Sequence, residues 1–485
     1  MGELMPSAGP HKRSAVILGA GVGGLAAGWR LALTGAWDVT VVERADVIGG
    51  LCGTFRYDDM WLDYGPHKCF STMPDVLEAL LTLMGQELLK HEKKHSFYLF
   101  GRYLKYPLQL TQLLASMGLH NVVASGASAL SERLRALAGS RHVESYEDYL
   151  VSRFGRHLYS LVFEPLADKV WGDPATLSAD IARTRIPSMS FLDVLLRMLK
   201  LKQETALTDV TYFYYPKSGF GRIPGRMAEE ILAHDGRILT STVPLAVHHE
   251  GFRVTGVTIE RRGERTSLPC DLLISSVPFD TLGTLLNAHQ RGRDLGALLR
   301  AACRLQYRHL ILVYVVVGAD QLIDDHWIFY PDRSQVFGRI FEQKRLSRAM
   351  IPDGKTVICC DIVDDEEGDR WRSTDAELGE RCVADLRATG ILNGEPVLDT
   401  FVKRSRRFYP RYDLTYRDTL YQLYTFLKQY ANLLSTGRIG LYNYNNSDHC
   451  LDMAMRIEEG LTAGRSTAQI MEELEERVMT YRIVD

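Results

Sequence analysis

The feature that most restricts this chain is a glycine turn near its start. Residues 14–18 (SAVIL) are a β-rich apolar run, residues 19–24 (GAGVGG) follow, and residues 25–33 carry a helical pattern. A second strand run, residues 39–42 (VTVV), ends at Glu43. Strand, glycine turn, helix, strand and acid within about 30 residues form the dinucleotide-binding βαβ unit. Gly19 permits the tight turn, Gly21 and Gly23 leave room for a pyrophosphate, and Gly24 lets the helix approach the sheet. The helix N-terminus supplies free N–H groups and a partial positive charge to the phosphates. Glu43 is suited to the adenosine ribose hydroxyls and would repel a 2′-phosphate. The unit alone does not separate NAD from FAD.

The next residues do. Residues 43–54 read ERADVIGGLCGT, so Arg44, Gly49, Gly50, Leu51 and Gly53 follow the ribose acid closely. Simple NAD domains usually run into a helix here, whereas backbone free of side chains can lie along the ribityl-diphosphate of a longer cofactor. The expected cofactor is FAD.

From these residues onward the chain resembles the flavoprotein superfamily of monoamine oxidases, protoporphyrinogen oxidases and UDP-galactopyranose mutases, from about residue 14 to residue 460. The mutase and protoporphyrinogen-oxidase-like branch matches in most detail. Asp63-Tyr64-Gly65-Pro66-His67 resembles the segment beside the isoalloxazine, and residues 101–108 (GRYLKYPL) resemble the branch's glycine hairpin and Tyr-Pro. Lys169-Val170-Trp171-Gly172 with Arg185-Ile186-Pro187 is similar to a mutase segment whose tryptophan lies at the substrate pocket. Residues 215–221 lead into a helix near 223–232, and residues 238–243 resemble a strand whose valine, here Val243, meets the adenine through its backbone. Ser275-Ser276-Val277-Pro278 matches the strand end that returns to the cofactor domain, while Arg308, Arg339 and Tyr409-Pro410 match positions lining the substrate site. Residues 436–448 (TGRIGLYNYNNSD) are similar to the C-terminal segment that caps the flavin, which implies cofactor roles for Gly437, Tyr444 and Asn445.

The resemblance implies an α/β fold: a discontinuous Rossmann-like FAD-binding domain, a helical region and a mixed-sheet substrate domain. Residues 14–75, 210–300 and 435–475 are assigned to the first, 76–209 to a helical substrate-covering region, and 301–434 to the mixed α/β domain. Residues 1–13 read as a loose polar tail and residues 200–215 as a mobile flap. A chain of 485 residues has room for two or three associated domains. Its net charge of −3 offers no global attraction to nucleic acid, so anion recognition falls to local arginines. Its longest apolar run, residues 309–318, is far too short to cross a bilayer, so no integral membrane segment is expected. The eight cysteines show no metal-ligand spacing, and reduced thiols in a cytoplasm are the simplest reading. No metal is expected, and a homodimer is left open.

His67, Arg339 and Trp171 are the catalytic candidates: His67 to hydrogen-bond flavin or substrate, Trp171 to stack on substrate or fill core. Arg185, Arg308, Tyr409 and Tyr442 are the substrate-binding candidates, the arginines suited to bidentate recognition of an anionic group. The acidic run at residues 361–369 (DIVDDEEGD) lacks calcium-loop spacing and reads as a solvated turn, and residues 403–407 (KRSRR) read as a surface charge cluster. Two chemistries remain open. One is hydride transfer from a polar small molecule to flavin N5, and it is favoured. The other is non-redox isomerisation of a nucleotide sugar, with reduced flavin N5 as nucleophile. The ordering rests on departures from the mutase pattern: Ser188-Met189 stand where a second arginine is expected after Arg-Ile-Pro, and Asn445 replaces an aromatic phosphate contact.

Overall fold

The computed structural model describes residues 12–106, 110–139, 143–185, 211–287 and 296–483. Most of the polar tail, Pro107-Leu108, residues 186–189 and most of the flap expectation lie outside the described residues.

The apolar run after the tail becomes the strand Arg13–Leu18, the centre of a five-stranded sheet. Every pairing in that sheet is parallel, and its other strands are Trp37–Val42, Arg237–Leu239, Leu272–Ser275 and Leu433–Ser435. Strands from three distant stretches of sequence therefore meet in one sheet. The helix Val22–Leu33 covers it, with Gly21 as an N-cap that makes no side-chain hydrogen bond. The late helix Ser447–Thr462 lies against that first helix, with Arg30 and Glu458 paired at 2.7 Å.

A seven-stranded mixed sheet forms the other main layer. Its order is Val397–Arg411, Gln306–Val317, Thr356–Asp364, Arg339–Glu342, Trp327–Phe329, His95–Leu99 and Arg102–Lys105. Alternation decides its two faces. Ile340, Cys360 and Ile362 pack with the helix Asp375–Ala388 in a satellite core, while Phe341, Cys359 and Trp327 belong to the main core shared with the parallel sheet.

Two strands of this sheet overturn part of the expectation for residues 76–209. That stretch is not wholly helical, because Leu88–Glu92, His95–Leu99 and Arg102–Lys105 are strands. The last two form a hairpin whose turn residues, Phe100 and Gly101, both have positive φ (52° and 72°). That backbone geometry matches the twist of the paired strands and adds them to the sheet edge. The helices of the stretch include Leu119–Ala138, Tyr146–Leu158 and Glu164–Trp171.

Candidate functional site

The glycine turn and the returning C-terminal segment meet through bare backbone. A Cβ on Gly24 would lie 2.0 Å from the Gly19 carbonyl oxygen, and one on Gly23 would lie 2.8 Å from the Gly437 Cα. Gly21 is the exception. A Cβ there would meet nothing within 4 Å, so its backbone borders open space at the helix N-terminus. Gly49 bridges to Gly21, its N–H donating to the Ala20 carbonyl at 2.8 Å, and exposed Gly50 lies alongside. Glu43 accepts from the backbone N–H groups of Ala20 and Ala45, both at 2.8 Å, which holds its carboxylate at the rim. Arg44 is exposed and Leu51 half-buried nearby in sequence, and Val243 follows Thr242, whose N–H donates to the Glu43 carbonyl at 2.9 Å. This cradle fits FAD: open backbone at a helix N-terminus would receive the diphosphate, and a rim carboxylate would suit a ribose.

Asp63 organises the segment that follows. Its buried carboxylate accepts from Thr54 Oγ1 at 2.5 Å, from the Phe220 N–H at 3.1 Å and from the Tyr215 hydroxyl. Burial pushes this carboxyl up to about 6 against those donors. The anchored turn then presents His67, whose ring stacks on Phe220 at 4.7 Å. Burial and the charges of Arg438 and Arg339 push His67 down to about 3, so its ring is neutral at ordinary pH. Its Nδ1 has no hydrogen-bond partner among the described residues. Burial pushes Cys52 and Cys69 up to about 12 and Cys450 to about 11, so no thiolate stands here. Among the described residues no cluster of three or more His, Cys, Asp or Glu side chains could hold a metal ion.

A second group gathers residues from four parts of the chain. The Arg185 guanidinium lies 3.8 Å from the Tyr444 ring centre and 4.9 Å from that of Trp171. Tyr444 in turn stacks on Tyr409 at 4.8 Å, with 5° between the planes. Arg438 stands 5.6 Å from Tyr444 and 5.8 Å from Tyr409, and donates to the Asn445 carbonyl at 3.0 Å. Asn445 itself is buried, with an amide Nδ2 lacking a partner among the described residues. Arg411 donates to Gln306 Oε1 at 2.7 Å and to Thr176 Oγ1 at 2.9 Å. Among the described residues no carboxylate pairs with Arg185, Arg411 or Arg438. Such guanidiniums, stacked on rings and short of counter-charge, are suited to an anion.

Four expectations need correction. The acidic run is a solvated turn only in its second half, residues 365–369: the strand Thr356–Asp364 buries Asp361 and Asp364. Its carboxylates neutralise the arginines expected to bind substrate, Asp361 holding Arg339 through two bonds (2.8 and 2.6 Å) and Asp365 holding buried Arg308 at 2.5 Å. Arg308 is thus a structural ion-pair member, whereas Arg339 keeps about a fifth of its side chain exposed and its charge bears on His67. Tyr442 is turned inward, its hydroxyl against the carbonyl oxygens of Gln306 (2.5 Å) and Arg411 (2.6 Å). Nor is the basic cluster purely superficial: Arg407 clamps Asp280 at 2.7 and 2.8 Å, and the Lys403 ammonium lies 5.0 Å from the Phe55 ring centre.

Sequence reasoning passed over Arg438, Arg411 and the anchoring role of Asp63. Arg438 lies inside the quoted returning segment, directly after Gly437, and Arg411 directly follows Tyr409-Pro410. Their neighbours carried the signal.

The family model of flavin containing amine oxidoreductases matches residues 22–469. A phytoene desaturase of Fusarium fujikuroi is 37% identical over 95 residues, a match spanning 19% of this chain and 16% of that protein. A zeta-carotene-forming phytoene desaturase of Myxococcus xanthus is 25% identical over 389 residues, covering 73% of this chain and 72% of that one. Reduced UDP-galactopyranose mutase superposes with a TM-score of 0.83 at 18% identity, covering 98% of this chain and 99% of that chain. A cofactor-binding variant of putrescine oxidase superposes at 0.63 and 16% identity, over 93% and 99% of the chains.

Proposed function

The chain belongs to the family of flavin-containing amine oxidoreductases, FAD-dependent oxidoreductase enzymes, and from that premise we propose that it oxidises a small molecule carrying an anionic group. The observation that carries this reading is the stack of Arg185, Tyr444 and Tyr409 beside Trp171, Arg438 and Arg411. FAD supplies the hydride acceptor, at N5. Gly19, Gly21, Gly23, Gly24, Glu43, Gly50 and Gly437 would hold it through backbone and one rim carboxylate, with Arg44, Leu51, Val243, Tyr444 and Asn445 as further candidate contacts.

The remaining work falls to this chain's own side chains. Arg185 grips the substrate's anionic group while the parallel Tyr444 and Tyr409 rings hold its body against one face. Neutral His67 offers an unpartnered ring nitrogen to a polar substrate atom, and the nearby Arg339 and Arg438 charges keep that nitrogen from taking up a proton. Arg339, held in place by Asp361, favours negative charge at the same point.

A nucleotide sugar fits the same cationic stack, and that makes non-redox isomerisation the second reading. Anaerobic incubation of the FAD-loaded protein with candidate anionic substrates separates the two. Under the first reading the oxidised flavin spectrum bleaches with substrate alone. A spectrum that never bleaches, with nucleotide-sugar isomerisation after dithionite reduction, overturns it in favour of the second.

A further inference from the structure

The helix Leu119–Ala138 is built inside out. Leu119, Val123, Leu130, Leu134 and Leu137 follow one another at spacings of 4, 7, 4 and 3 residues, which puts them on a single face of the helix. That face points to solvent: Leu119 and Leu137 are 80% exposed, Val123 is 63% exposed, and Leu130 and Leu134 are 59% exposed. The opposite face, against the protein, carries Ser125 and Glu132, both buried, with half-buried Val122 and Ala129. A helix that stabilised the fold through its apolar stripe would turn the leucines inward.

The seating is made instead by close backbone approach and polar bonds. Gly155 of the neighbouring helix lies so near that a Cβ on it would stand 2.6 Å from the Ala129 nitrogen. His157 donates its N–H to Ser128 Oγ at 3.2 Å, and its ring meets Asn121 Oδ1 at 3.2 Å. The leucines keep most of their surface outside this contact, and that exposure asks for an external surface.

We propose that this helix docks the protein on an anionic lipid surface. Charge and area both select that occupant. The helix carries one acid, Glu132, which is buried and paired with Arg135 at 2.7 Å. Exposed Arg133 borders the leucine stripe and makes no ion pair among the described residues. A leucine face bordered by an exposed arginine lies in the headgroup boundary, apolar side down, while the arginine meets anionic headgroups. No helix among the described residues is long and apolar enough to cross a membrane, so the contact is with the surface. A second copy of the chain fits less well. A stripe about 30 Å long and about 10 Å wide offers roughly 300 Å² per copy, and the total of about 600 Å² is half what a stable dimer buries.

The test uses full-length, FAD-loaded protein and vesicle flotation. Vesicles of phosphatidylcholine with phosphatidylglycerol at about 7:3 should carry the protein upward, pure phosphatidylcholine should carry much less, and added salt should weaken the first. Leu130→Gln with Leu134→Gln should lower flotation at least about tenfold while flavin absorbance and unfolding midpoint stay unchanged. Should that variant lose its fold, Arg133→Glu carries the test: binding to the anionic vesicles drops several-fold and binding to phosphatidylcholine does not. The proposal is overturned if wild-type protein fails to float with anionic vesicles at low salt. It is equally overturned if the glutamine variant floats undiminished, or if the same variant instead dissolves a concentration-dependent dimer.

Discussion

The glycine cradle and the arginine–aromatic stack both suit anions, but they are made from different material. In the cradle the recognising groups are backbone: N–H groups at the start of Val22–Leu33, left open because Gly21 has no side chain. In the stack they are long side chains from three separated segments, Arg185, Tyr409, and Arg438 with Tyr444, aligned by tertiary contacts. Backbone recognition tolerates almost no added atoms. Side-chain recognition depends on which arginines already have a carboxylate.

The largest effects should come from the cradle, where two glycines separate folding from cofactor binding. Gly24→Val drives side-chain atoms into the Gly19 carbonyl and should cost more than about 3 kcal/mol, read as loss of folded, yellow protein. Gly21→Val meets open space, so the chain should fold with a near-normal unfolding midpoint yet bind FAD at least about tenfold more weakly by titration. If Gly21→Val binds FAD normally, the cradle reading fails.

In the second region the contrast lies between paired and unpaired arginines. Arg339→Ala strands the buried Asp361 carboxylate and should cost about 3–5 kcal/mol in denaturant unfolding. Arg185→Ala strands no carboxylate and should leave stability nearly unchanged. Losing a charged contact to substrate is worth about 1.5–3 kcal/mol, so kcat/KM should fall by about 10- to 100-fold. Equal destabilisation by both variants would erase the distinction between structural and binding arginines.

A smaller effect follows from His67. Its folded pKa, about 3, lies below the ordinary 6.5, so the folded state resists the proton that the unfolded state accepts. Its contribution to stability is complete above about 6.5 and lost as pH falls towards about 3. Denaturant midpoints should therefore decline below pH 6.5, and His67→Gln should flatten part of that decline. Buried His326, also pushed down to about 3, supplies another part and should persist in the variant. The smallest expected change is Arg406→Ala, which breaks an exposed pair with Glu366 and should shift stability by no more than about 0.5 kcal/mol.

The cradle was legible in the sequence because each of its requirements is local. Gly24, Gly21 and Glu43 sit at set distances along a strand, turn, helix and strand, and the spacing alone carries the chemistry. The stack was legible only in outline. Arg185, Trp171, Tyr409 and Tyr444 were named and do come together, yet Arg438 and Arg411 were passed over and Arg308 was misjudged. An arginine's sequence neighbours do not reveal its counter-charge: Asp365, which holds Arg308, comes from a run that reads as a surface turn. The hairpin at residues 95–105 was signalled by the resemblance of its Gly101 segment and not by its strand pattern. Short strands of 5 and 4 residues carry little periodic signal until a sheet edge pairs them.

Sequence alone determined that this chain binds a dinucleotide-type cofactor at its N-terminal turn and that the cofactor is FAD, because glycine positions dictate where backbone can approach a phosphate. Tertiary structure decided which charges are free. It set Asp361 against Arg339 and Asp365 against Arg308, left Arg185 on the tyrosines, and turned five apolar residues of one helix to the outside. A backbone contact is specified within a few residues of chain, whereas an ion pair or an exposed face depends on what the rest of the fold brings beside it.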